Sequence, residues 1–286
     1  MLVRRQLAVL LADRRNLVFL AVAPLVPALL ILAVIHADAF DASGALPAAG
    51  ARELVGVLVV TAAALGAANG LREIVKEDAI YRRERAVGLS RTAYLASKVV
   101  ALGAVTAAQC VVLVALGTAS AGGPDASNWL LLIFEIAFDV ILVGVTSLAL
   151  GLLISAFVSS SEKAMALIPV VFVVSWLFSG VSVDLQSRAI MRDVAYVVPA
   201  NWGVSALAST VDLPTLAGCD AEPSTPSSTS AGPAPASCDA NWAPGMDHWL
   251  LDVVALPRAR RGIPGRCRLG AGAQGAHRRV APYSRR

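Results

Sequence analysis

Residues able to do chemistry are few in this chain of 286, and they stand far apart. Two carboxylates, Glu135 and Asp139, interrupt a run over 130–158 that is otherwise almost wholly apolar. Four positions apart, they fall on one face of a helix. Such a pair can hold a cation, relay a proton, touch a substrate, or make a structural hydrogen bond. A charged residue at the centre of a spanning helix costs about 2.5–3.5 kcal/mol, and each Leu, Ile, Val or Phe contributes about 0.3–0.6 in its favour. The run holds 19 of those four types, enough to offset both acids, which are expected to face other helices rather than lipid. A structural hydrogen bond is the expected role, and ion or substrate contact the alternative.

Other chemistry is excluded by what the sequence lacks. No GxxxxGK[ST] phosphate loop occurs, so the chain has no backbone cage for ATP phosphates. There is no HExxH, no GxSxG, and no nucleophile with an evident base. Cys110, Cys219, Cys238 and Cys267 form no CxxC motif, and His36, His248 and His277 are scattered, so no metal site is expected. Cys219 and Cys238 bracket a Pro/Ser/Thr/Gly-rich stretch. They either close a disulfide loop, which an oxidising compartment permits, or remain free thiols. The net charge of +4 sits in short loops and at the C-terminus with no aromatic interleaving, so nucleic acid is not an expected partner.

The elements that must position these residues are membrane helices. The chain is 57% hydrophobic and 15% charged, against about a quarter charged for soluble domains. A spanning helix needs about 20 mostly apolar residues. Five segments qualify: 17–35, 54–71, 99–119, 130–158 and 164–183. A partial sixth, 249–256, stops at Pro257. Twelve Lys or Arg fall on one side of these spans and three (Arg52, Arg188, Arg192) on the other, which places the N-terminus in the cytoplasm. The expected domain runs over 1–256. From 257 to 286 the chain has nine Arg and no acid; it reads as an out-of-frame tail or as a basic tail drawn to anionic lipid.

Between spans two and three lies the densest charge. Gly66 and Gly70 form a small-xxx-small pair that lets a neighbouring helix come close, and Asn69 can hydrogen-bond to it. Residues 72–87 continue as a charged helix in which Glu73 with Lys76 and Asp78 with Arg82 are spaced to pair. Gly88 suits a helix C-terminus and Ser90 the cap of the next helix. A solvated loop would account for the basic residues but not for the interleaved acids or this punctuation. A docking element for a cytoplasmic partner accounts for both.

The run Glu77, Ile80, Tyr81, Arg82, Arg83, Glu84, Arg85, Gly88, Tyr94 and Lys98 resembles the intracellular coupling segment of type-2 ABC transporter permeases. It is nearest the ABCG-like branch, including bacterial half-transporters whose ATPase is linked to a forkhead-associated domain. Members often carry a basic residue and Pro where this chain has Asp78–Ala79. Residues 2–16 resemble the family's connecting helix, and Pro199–Ala200–Asn201–Trp202 its Pro-x-x-Trp feature after span five. The resemblance implies an all-helical six-span exporter bundle working as a homodimer in the bacterial plasma membrane, with re-entrant helices near 184–198. It implies ATP and Mg on a partner ABC ATPase, either a separate subunit or a linked domain, none on this chain, and outward movement of a lipid-like or hydrophobic substrate. Two other readings stand beside it: an ion- or proton-coupled secondary transporter using Glu135 and Asp139, and a non-functional truncated permease.

Overall fold

The computed structural model describes residues 14–34, 47–71, 73–75, 90–119, 129–158, 160–181 and 189–211, with 6, 12, 81, 86 and 213 singly. The regular elements among them are helices: α1 (Arg14–Val34), α2 (Pro47–Leu71), α3 (Arg91–Gly117), α4 (Trp129–Phe157), α5 (Ser161–Leu177), α6 (Ala189–Ala195) and α7 (Pro199–Thr210). Gly50–Val75, Thr92–Gly117 and Leu131–Phe157 are long and apolar enough to cross a membrane, and Leu17–Ala33 is a shorter apolar stretch. The protein is an all-α, multi-pass membrane bundle. The partial span at 249–256, the tail at 257–286, Cys219 and Cys238 lie outside the described residues.

Helices α1 to α5 cover the five apolar runs, with three boundaries moved. The second helix starts at Pro47, well before position 54. The third helix starts at Arg91, well before position 99, because Ser90 caps it: its side chain accepts from the Ala93 amide at 3.3 Å. The fifth ends at Leu177 rather than near 183. Beyond it Gly180 takes φ 81°, a left-handed conformation that glycine adopts freely. Arg52, near the start of α2, then donates to the Val181 carbonyl at 2.6 Å. Residues 199–210, which begin with the Pro-x-x-Trp feature, form α7. Pro199 occupies its first turn, where a missing amide hydrogen does no harm.

Helix α2 is the axis of the bundle, packing on α1, α3, α4, α5 and α7. Its partnership with α4 is the most extensive, and glycines make it so. A Cβ on Gly66 would run into the Gly144 carbonyl oxygen. One on Gly70 would stand 2.5 Å from the Leu148 carbonyl oxygen, and one on Gly151 would stand 2.7 Å from that of Ala67. The backbones therefore touch, which is how helices associate where lipid removes the hydrophobic drive between them. Above this seam Leu54, Val55, Leu58 and Ala62 pack with Ile136, Val140 and Val143 of α4, Leu113 of α3 and Leu207 of α7. Outside, Val18, Val26 and Leu30 on α1, Phe134 and Phe157 on α4, and Val170 and Val173 on α5 are all at least half exposed. That apolar jacket suits lipid and not water.

The seam predicts a contrast between two glycines. Gly66→Val should lower the thermal midpoint of the detergent-solubilised chain or prevent its accumulation in membranes. Gly103→Ala should be neutral or stabilising, since an added Cβ there meets nothing within 4 Å and alanine favours a helix by about 1 kcal/mol over glycine. Equal effects would rule out the close-packed seam.

Candidate functional site

The charged connection between α2 and α3 is anchored at both ends. Helical geometry continues past α2 through residues 73–75, helped by Ser155 of α4, whose hydroxyl accepts from the Val75 amide at 3.3 Å. Glu73 there meets Lys98 of α3, Nζ to Oε1 2.5 Å, with the lysine side chain 0% exposed and the glutamate 13%. Gln6, from the segment before α1, donates to the same carboxylate oxygen at 3.0 Å. One turn before Lys98, Tyr94 stands with its ring 5.8 Å from the ammonium, close enough for a cation–π attraction. Tyr94 also packs on Tyr81, ring centroids 4.7 Å apart.

An ion pair removed from water keeps its place only if further hydrogen bonds offset desolvation. Gln6 supplies such a hydrogen bond here, and the Tyr94 ring adds a cation–π attraction. The sequence pointed Glu73 at Lys76 along the same helix; the observed partner is Lys98, 25 positions on and in another helix. Lys76 and Asp78 lie outside the described residues. Of the coupling residues, Tyr81 is placed, half-buried against Tyr94. Glu77, Arg82, Arg83, Glu84, Arg85 and Gly88 lie outside the described residues.

A second polar cluster lies deeper. Asn69, one turn before Glu73, donates to Thr106 Oγ1 at 3.0 Å and to Gln109 Oε1 at 2.7 Å, all three side chains buried. Gln109 in turn donates to the Leu20 carbonyl of α1 at 2.8 Å. Thr106 and Gln109 escaped the sequence reading, although isolated polar residues inside an apolar helix are the usual mark of an interhelical hydrogen bond. Cys110 is buried beside Gly144, where it fills space.

The two acids of α4 part company, correcting the expectation that both face the bundle. Asp139 is 2% exposed and accepts from Thr210 Oγ1 at 2.8 Å, fastening the end of α7 to α4. Glu135 lies on the exposed side of the single chain. Four residues advance about 40° past a full turn, enough at the edge of a packed face to carry one acid out. Trp202 of α7 donates its indole to the Tyr196 carbonyl at 2.8 Å, closing the turn between α6 and α7. Among the described residues no group of three or more His, Cys, Asp or Glu could hold a metal.

The buried pair makes a sharp stability prediction. Lys98→Ala should destabilise by about 3–5 kcal/mol, because it leaves Glu73 without its countercharge. The double variant Glu73→Leu with Lys98→Met should recover much of that loss, read as the thermal midpoint in detergent. A double variant as unstable as the single would deny the pairing.

The sequence profile of the ABC-2 type transporter family matches residues 1–211. Over 258 residues the chain is 33% identical to the ABC transporter ATP-binding/permease protein Rv1747 of Mycobacterium tuberculosis, a match that covers 88% of this chain and 28% of that protein. The chain thus spans little more than a quarter of that relative's length. With a family match over most of its length and no phosphate loop in its sequence, the chain belongs to the ABC-2 type transporter family, as a membrane permease domain without an ATPase site of its own.

Proposed function

We propose that this permease domain is the membrane half of an ATP-driven exporter, in which a partner ATPase grips residues 76–89. The observation that carries the reading is the Glu73–Lys98 pair, which ties both ends of that segment together across α2 and α3. A push on the segment is delivered into two spanning helices at once, and Gln6 passes it to the chain leading into α1. Glu77, Arg82, Arg83, Glu84 and Arg85 supply the charges that the ATPase recognises, and Tyr81 seats the segment on Tyr94. ATP and Mg stay on the partner. The name of the mycobacterial relative, ATP-binding/permease protein, joins the two activities in one protein and supports this pairing.

The working unit is a homodimer of six-span exporter type in the bacterial plasma membrane, each N-terminus cytoplasmic. It moves a lipid-like or hydrophobic substrate outward as two states of the bundle alternate. Helix α5 supports the dimer: its Val170, Phe172, Val173 and Trp176 are exposed in the single chain, beside a buried Ser175. An ion relay through Glu135 and Asp139 draws less support, since one acid is bound by Thr210 and the other faces away.

Affinity purification of the tagged chain from its native membranes tests the reading. The wild type should bring down an ABC ATPase, and combined Arg83→Glu and Glu84→Arg should reduce that recovery by about tenfold or more, as like charges meet at a docking surface. Recovery unchanged by charge reversal, or no ATPase in either sample, would overturn it.

A further inference from the structure

Helix α1 carries two prolines, Pro24 and Pro27. A proline inside a helix has no amide hydrogen, so the carbonyl four residues earlier loses its regular partner. For Pro24 that carbonyl belongs to Leu20. It is the same oxygen that receives Gln109 Nε2 at 2.8 Å from α3. The orientation of the Gln109 amide is forced by its neighbours. Its nitrogen must face the carbonyl, which only accepts, and its oxygen must face the Asn69 Nδ2 donor at 2.7 Å. Gln109 is 4% exposed and Pro24 is buried, so water does not readily take over either role.

We propose that Pro24 and Gln109 are a matched pair: the Gln109 amide replaces the hydrogen-bond donor that Pro24 removes, and so fixes the angle at which the N-terminal half of α1 lies on α3. The pair turns a helix defect into an interhelical joint. Without Gln109, the Leu20 carbonyl would be left bare in an apolar setting. Without Pro24, it would be satisfied within α1, and α1 would have no polar claim on α3 at this height. Below the joint, Gln6 reaches the Glu73–Lys98 pair. Lys98 and Gln109 are eleven residues apart, hence about 16.5 Å along α3 and only about 20° apart around it. The segment leading into α1 and the first half of α1 are therefore pinned at two heights along one face of α3. This inference does not depend on which partner drives the chain.

A double-mutant cycle isolates the pair. Gln109→Leu should lower the thermal midpoint in the Pro24 chain by about 2–4 °C more than it does in Pro24→Ala, whose Leu20 carbonyl has a helical donor again. The acceptor that Asn69 loses is common to both backgrounds and cancels. Pro27→Ala is the control: the carbonyl that Pro27 frees is that of Ala23, so it should show no such coupling to Gln109→Leu. A second readout reports geometry. Spin labels at the exposed positions Val18 and Val100, in a chain with its four cysteines replaced by alanine, should give a narrow distance distribution. It should broaden or shift in Gln109→Leu and return when Pro24→Ala is added. Equal losses of stability in both backgrounds, or a distribution that Gln109→Leu leaves unchanged, would overturn the proposal.

Discussion

Inside a bilayer, lipid tails solvate an apolar side chain as well as another helix does, so burial alone cannot hold a bundle together. What holds this one is the approach of α2 to α4, backbone against backbone, along Gly66, Gly70, Gly144 and Gly151. Everything else is placed by that contact. Once α4 lies this close, Ser155 can reach the Val75 amide and carry helical structure past the end of α2 toward the charged segment. At the other end, Gly203 lets α7 settle against Val59 of α2 and Val143 of α4, and Thr210 reaches Asp139. A methyl group on the seam would push α4 away and undo both ends at once.

Polar contacts then supply the direction that close packing cannot. Dispersion forces tolerate sliding and rotation, whereas a hydrogen bond in an apolar setting fixes register, because the unpaired group costs about 1–3 kcal/mol. On α3 the fixing residues are Lys98, Thr106 and Gln109, and through them one helix holds α2 at two heights and the N-terminal part of the chain at two heights. The helices that would receive a push on the α2–α3 connection are thus already joined where the push arrives. By contrast, α5 meets α2 and α7 but leaves most of its large apolar side chains exposed, as a helix facing lipid or a second copy would.

Much of the helical framework was legible in the sequence, because a lipid-length apolar run is a signal of composition that needs no partner to be read. Ser90 as a cap was legible for the same reason: its donor is three residues away. What was not legible was what depends on the third dimension. Glu73 had a local candidate in Lys76, and nothing in the spacing favoured Lys98. Glu135 and Asp139 share a helical face by arithmetic, yet the width of the packed face decides that only Asp139 is inside. Gln109 went unread because its partner, the Leu20 carbonyl freed by Pro24, stands beside it only in the folded bundle. Helix α7 was hidden by its small residues, whose value lies in fitting between α2 and α4 rather than in any apolar run.

The central claim is that the segment between α2 and α3 is held from below by an ATPase. The most direct measurement places a photo-crosslinking amino acid at Ala86, which is exposed, and irradiates native membranes. The account predicts one dominant adduct that contains an ABC ATPase and is shielded from membrane-impermeant reagents outside the cell. Capture of no ATPase, or labelling of position 86 from outside intact cells, would contradict it.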